Sequence, residues 1–242
     1  MHLRRWYARH GPQVPLAPAA TERRGSVDTA RLAAYPPAVT HQPIDLFKDK
    51  ARDFDTHAVP TQISAGVGAA LRARVALTAD MRVMDFGAGT GLVCAHVAPH
   101  VATVYAVDIS EAMLAQLAAK PELRGKVEIR CQDILERPLD QPVDLIISAM
   151  AMHHVADTDR MLRAFAAHLV PGGRLALADL DVEPSTFHPH DAVGVFHHGF
   201  DRADLGRRLA GAGFTAIEFA TATQVVKDDR RYDVFLVTAT KA

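Results

Sequence analysis

The residues most able to do chemistry stand in one short run, Asp85-Phe86-Gly87-Ala88-Gly89-Thr90-Gly91. Glycines at alternate positions permit a tight turn and let backbone N–H groups approach a ligand at the start of a helix. A structural strand-to-helix turn would also accept glycine, but three of them directly after an acid point to a nucleotide-type cofactor. The spacing that holds a pyrophosphate is not met. In G-x-G-x-x-G the third glycine falls one residue later than Gly91, and position 92 is leucine. A second group of reactive side chains is the set of six histidines at His153, His154, His188, His190, His197 and His198, out of 13 in the chain. Pairs such as His-His and His-x-His on loops are loose metal signals. An imidazole titrating near neutrality suits a general base or a substrate-orienting group better. A metal-free rim is therefore the expectation, with capping and loop hydrogen bonds as the plain alternative.

These residues must be positioned by the elements around them. Apolar or β-branched runs at 82–86, 102–107, 126–130, 143–148 and 174–178 alternate with helix-patterned segments such as 111–119 and 159–169. That alternation predicts right-handed crossovers and a parallel sheet covered on both faces. After a helical stretch at 202–212, strand-like runs at 214–221 and 232–240 are joined by the charged turn 227–231. So short a connection makes them antiparallel. Ahead of the first strand, Ile44, Phe47, Ala51 and Phe54 have the spacing of one helical face, and a second amphipathic helix follows Pro60 to about Leu77.

The glycine loop after an acid resembles the first motif of the class I S-adenosylmethionine-dependent methyltransferases. Asp108 in Val-Asp-Ile-Ser, Asp133 in Cys-Gln-Asp-Ile, and Pro171-Gly172-Gly173 before the fifth strand agree with that family in order. The resemblance covers about residues 44–242. It implies a Rossmann-like, doubly wound α/β fold: a mostly parallel seven-stranded sheet with a C-terminal antiparallel pair and helices on both faces. It also implies S-adenosylmethionine as cofactor. Asp108 would accept both ribose hydroxyls, each a charge-assisted bond worth about 1.5–3 kcal/mol. Asp133 would accept the adenine amino group, with Ile109 and Ile134 covering the ring faces. Asp85, Gly87, Gly89 and Gly91 would face the cofactor's amino-acid end, and Ser148 joins the cofactor positions. With the strand order 3-2-1-4-5, the loops after the fourth and fifth strands flank the transferable methyl. They bring the histidine rim, Asp179 and Asp181 toward the acceptor, with His154 and His198 as the candidate catalytic residues. Because a sulfonium methyl is already electrophilic, in-line positioning can supply on the order of 7–11 kcal/mol without any acid or base. Ser148-Ala149-Met150 stands where amine and base methylators of the family often carry Asn-Pro-Pro-Tyr, so a small-molecule acceptor is expected. A dehydrogenase and a non-catalytic cofactor-binding module are the rival readings.

Composition narrows the class further. The chain has 242 residues, 49% of them hydrophobic, and a net charge of −1. Such a balance exerts no field that would draw nucleic acid or an anionic membrane to the whole molecule. There is also no basic stripe with interleaved aromatics. No apolar run approaches the roughly 20 residues of a membrane span. Two cysteines, Cys94 and Cys131, make neither a disulfide framework nor a four-thiolate site, and they fit a reducing, cytoplasmic setting. Residues 1–43 differ in kind. They hold six prolines and six arginines against Glu22 and Asp28, and they have no structural period. The sequence predicts a mobile tail there and one domain at 44–242.

Overall fold

A computed structural model describes residues 45–242. The predicted tail over residues 1–43 lies outside the described residues. Seven strands form one sheet, ordered β3-β2-β1-β4-β5-β7-β6. They are β1 (Arg82–Phe86), β2 (Thr103–Asp108), β3 (Val127–Cys131), β4 (Val143–Ala149), β5 (Leu169–Leu180), β6 (Phe214–Lys227) and β7 (Arg230–Lys241). The first five run parallel, and β7 is antiparallel to both β5 and β6. The order reverses between β1 and β4, which opens a crevice at the carboxyl ends of those strands.

The helices divide between the two faces because successive strand residues point to opposite sides. Val83, Leu145 and Ile147 pack with Ile63, Val67 and Leu71 of α1 (Ala58–Arg74), Val97 of the short α2 (Cys94–Val97), and Leu114 and Leu117 of α3 (Glu111–Ala119). On the other face, Met84 and Ile146 pack with Met161, Leu162 and Phe165 of α4 (Thr158–His168) and with Leu205 and Leu209 of α5 (Arg202–Gly211). Three helices begin at side-chain caps. Ser110, Asp157 and Asp201 each accept an N–H from the first turn, satisfying donors the helix itself cannot.

The elements depart from expectation in three places. Residues 45–53 form turns rather than a helix, closed by i→i+3 bonds such as Lys50 N–H to the Phe47 carbonyl at 3.0 Å. Phe47 is instead held edge-on against the His154 ring, 5.2 Å between centroids. The fifth strand begins at Leu169 and carries Pro171-Gly172-Gly173 within it, at the cost of a register shift against β4. The last two strands are also longer than predicted. They meet in a two-residue turn at Asp228-Asp229, both at positive φ (50° and 58°), the backbone sense that matches strand twist in a tight hairpin.

Candidate active site

A cavity of about 850 Å3 lies over the carboxyl ends of β1, β2 and β4. Its floor at one end is the glycine loop. Gly87 and Ala88 donate their N–H groups to the Val107 carbonyl, at 2.9 and 3.1 Å, which fastens the loop to β2. Gly87 and Gly89 have φ of +69° and +54°, a region costly for residues with a Cβ. A side chain at Gly87 would strike Ala151, with Cβ atoms 2.3 Å apart. One at Gly89 would meet no protein atom within 4 Å and would stand in the cavity it lines.

Two acids at this end are held in unusual states. Asp85 is buried at the tip of β1 and accepts a hydrogen bond from the Cys94 thiol at 3.0 Å. Burial raises its pKa to about 7; the thiol opposes that rise and the neighbouring Asp108 charge adds to it. A buried carboxyl facing a cavity, with no ion-pair partner among the described residues, suits a positively charged ligand group, which would stabilise the carboxylate. Asp108 is also raised, again mainly by burial, against the pull of the Ser110, Gly89 and Ile109 amides. Its Oδ1 accepts from Ser110 N–H and its Oδ2 from Gly89 N–H, both at 2.8 Å. Each carboxylate oxygen keeps a further lone pair for a ligand hydroxyl. Beyond it, Ile109 is 51% exposed and lines the cavity with Asp133. The groups present therefore fit a ligand with a cationic amino-acid end, a diol and a flat ring.

Three expected cofactor residues do not line the cavity. Gly91, at φ +81°, turns its Cα toward α3, where a Cβ would come within 2.8 Å of Leu117; it serves close packing. Ser148 is buried and donates to the Phe86 carbonyl at 2.8 Å, tying β4 to β1. Ile134 is fully buried among Met84, Tyr105 and Val107, and the next residue, Leu135, lines the cavity instead. The cause is local: Asp133 Oδ1 accepts the Leu135 N–H at 2.8 Å, a tight turn that sends the intervening side chain inward.

At the other end the cavity is lined by His153, His154 and His188, with Phe47, Lys50, Phe187 and Lys227 around them. His153 is buried, and its Nδ1 lies 2.8 Å from Oδ1 of the buried Asp179. Asp179 Oδ2 accepts the His153 backbone N–H at 3.2 Å, and Oδ1 accepts that of Leu180 at 2.8 Å. His188 approaches with its Nε2 3.1 Å from His153 Nε2. His154 donates from Nδ1 to the Gly194 carbonyl at 2.7 Å. Burial, then the adjacent His153, lowers the pKa of both His154 and His188 to about 4. Both are neutral at pH 7, so the titration near neutrality expected of an imidazole is displaced to acid.

The second candidate catalytic residue is corrected. His198 does not line the cavity; its side chain is 46% exposed and lies 3.5 Å from Glu183 Oε1. His197 is committed to the Val155 carbonyl at 3.0 Å. Asp181 forms a bidentate pair with Arg202, at 2.7 and 2.6 Å, away from Asp179's partners. The residue that sequence reasoning did not single out is His188. The only signal for it was a histidine-rich stretch, whose fold alone decides which ring enters the cavity.

Strand order, reversed last strand and switch-point cavity define a Rossmann-like methyltransferase fold. Residues 83–173 match the family model described as a methyltransferase domain. An uncharacterized methyltransferase of Schizosaccharomyces pombe is 31% identical over 135 residues, 49% of this chain and 48% of that protein. The malonyl-[acyl-carrier protein] O-methyltransferase of Bacillus cereus is 27% identical over 166 residues, 67% of this chain and 58% of that one. The chain thus spans about half to three fifths of the length of these relatives. In fold it is similar to the N-methyltransferase NodS of Bradyrhizobium japonicum, solved with S-adenosylhomocysteine. The TM-score is 0.63 at 16% identity, covering 81% of this chain and 94% of that one. Residues 83–173 are thus a methyltransferase domain, in a chain with the fold of the class I S-adenosylmethionine-dependent methyltransferases.

Proposed function

We propose that the chain transfers a methyl group from S-adenosylmethionine to a small-molecule acceptor and releases S-adenosylhomocysteine. The observation carrying this reading is the two-ended cavity, with acids and glycines at one end and neutral imidazoles at the other. At the first end Asp108 would hold the ribose hydroxyls, Asp133 the adenine edge, and Ile109 and Leu135 the ring faces. Asp85 would pair with the cationic amino-acid end beside Gly87 and Gly89. S-adenosylmethionine supplies an electrophilic methyl with a thioether as leaving group. The protein's part is then to orient the acceptor in line and keep water out. His154 and His188 offer neutral ring nitrogens toward the acceptor, while Phe47 and Phe187 wall the space. A concave cavity of about 850 Å3, rather than a flat docking face, favours a small acceptor.

The test is transfer of labelled methyl from S-adenosylmethionine into a cell extract fractionated by size. Label in the small-molecule fraction is the expected result. Label confined to protein or nucleic acid would overturn the acceptor class. No transfer in any fraction, with cofactor bound, would favour a non-catalytic binding module.

A further inference from the structure

The three histidines at the acceptor end have a geometry that acceptor orientation alone does not require. One ring nitrogen from each of His153, His154 and His188 lies within 4.8 Å of the other two. The Nε2 atoms of His153 and His188 are 3.1 Å apart. Two nitrogens bound at about 2.0–2.1 Å to one tetrahedral ion would be about 3.3 Å apart.

For His153 and His154, the hydrogen bonds on the far side of the ring fix which nitrogen is free. A carbonyl can only accept, so the Nδ1 of His154 carries its proton toward Gly194, and its Nε2 keeps the lone pair. The Asp179 carboxylate takes the Nδ1 proton of His153 in the same way, leaving Nε2 bare toward His188. A buried carboxylate behind a ligating imidazole is the usual support for a metal-bound histidine: it fixes the tautomer and strengthens the donor. Asp179 is itself used up by the His153 and Leu180 amides, so it supports the site rather than joining it. All three rings border the cavity, so a fourth coordination position would open onto the acceptor.

We propose that His153, His154 and His188 hold one divalent transition-metal ion of the zinc type, whose open position takes an oxygen or sulfur atom of the methyl acceptor. All-imidazole donors suit zinc, iron, nickel or copper and disfavour magnesium or calcium. Lys50 and Lys227, which line the same end, favour an acceptor that brings negative charge to the ion. This site rests on the methyltransferase reading for its acceptor, but not for its ligands.

The full chain, freed of metal by a chelator and dialysed, is titrated with cobalt(II) and with zinc(II). Each variant is also titrated with S-adenosylhomocysteine and checked by circular dichroism. The expected result is one ion per chain with the strong visible absorption of four-coordinate cobalt. His188→Ala and His154→Ala should each weaken binding about a hundredfold or more, and Asp179→Asn about 10–100-fold. His198→Ala, outside the cluster, should bind as the parent does. Affinity for S-adenosylhomocysteine should stay unchanged in His188→Ala. A parent that binds S-adenosylhomocysteine but no stoichiometric metal would overturn the site. So would metal binding that survives both His188→Ala and His154→Ala. Stoichiometric cobalt without any binding of S-adenosylhomocysteine would instead overturn the methyltransferase reading and leave the metal site standing.

Discussion

The two ends of the cavity are built differently. The cofactor end is local: Asp85, Gly87, Gly89, Asp108 and Ile109 sit within a few residues of the tips of adjacent parallel strands, and backbone amides fix the key carboxylate. The acceptor end is assembled from distant pieces. His153 and His154 follow β4, Asp179 ends β5, and His188 and Gly194 come from the irregular segment that leads to α5. That segment is held by scattered bonds rather than by a regular element. Glu183 N–H donates to the His198 carbonyl at 3.0 Å, the Glu183 carboxylate takes the Thr186 and Phe187 amides, and Asp181 bridges Phe200. Strand tips and their backbone amides thus fix one ligand site, while the other depends mainly on how the connecting segments fold.

The largest effect should come from breaking the acceptor end's anchor. Gly199 has φ +80°, and a Cβ there would lie 2.1 Å from the Asp181 carbonyl oxygen, a backbone atom that cannot step aside. Gly199→Ala should cost at least about 3 kcal/mol, lowering Tm by roughly 6–12 °C. Below the transition, affinity for S-adenosylhomocysteine should stay within about twofold of the parent. A matching loss of cofactor affinity would show that the two ends are not separable.

Asp108→Ala strikes the other end. It should weaken S-adenosylhomocysteine binding by at least about 2 kcal/mol, roughly thirtyfold, by calorimetry, while the protein stays folded. Asp85 gives a smaller, pH-linked effect. With its carboxyl raised to about 7, the folded protein holds a proton that the unfolded chain has released, so this contribution to stability is lost as pH rises from about 4 through 7. A ligand cation wants the carboxylate, so cofactor affinity should run the opposite way and be about tenfold weaker at pH 6 than at pH 8. Asp85→Asn should flatten both profiles. The smallest effect is expected at His198. Its ring is 46% exposed and lies 3.5 Å from Glu183 Oε1, outside the cavity lining, so His198→Ala should change stability by less than about 0.5 kcal/mol and leave turnover unaltered.

The same division governed what could be read from the sequence. Parallel order, the reversed last strand and the acids at the strand tips were legible because each has a local pattern: alternating apolar runs, a glycine loop after an acid, a charged hairpin turn. Misplaced residues were those whose direction depends on the turn they occupy. Ile134 and Leu135 are both aliphatic, and only the Asp133 turn decides which one meets the cavity. Gly91 shares the loop's composition but opens toward Leu117. Ser148 stands at a strand end yet spends its hydroxyl on the Phe86 carbonyl. At the acceptor end the histidine-rich stretch has no period, so nothing local separates His188, which enters the cavity, from His198, which leaves it. The early turns at 45–53 show a further limit: Phe47 has helical spacing from its neighbours, but its packing on His154 is tertiary.

The acid-and-glycine end of the cavity should admit S-adenosylmethionine and exclude a dinucleotide. Parallel calorimetric titrations of the purified chain with S-adenosylhomocysteine and with NADH test it most directly. One S-adenosylhomocysteine per chain is expected, weakened about thirtyfold by Asp108→Ala, with no heat of binding for NADH. Saturable NADH binding at micromolar concentration, with S-adenosylhomocysteine inert, would contradict it.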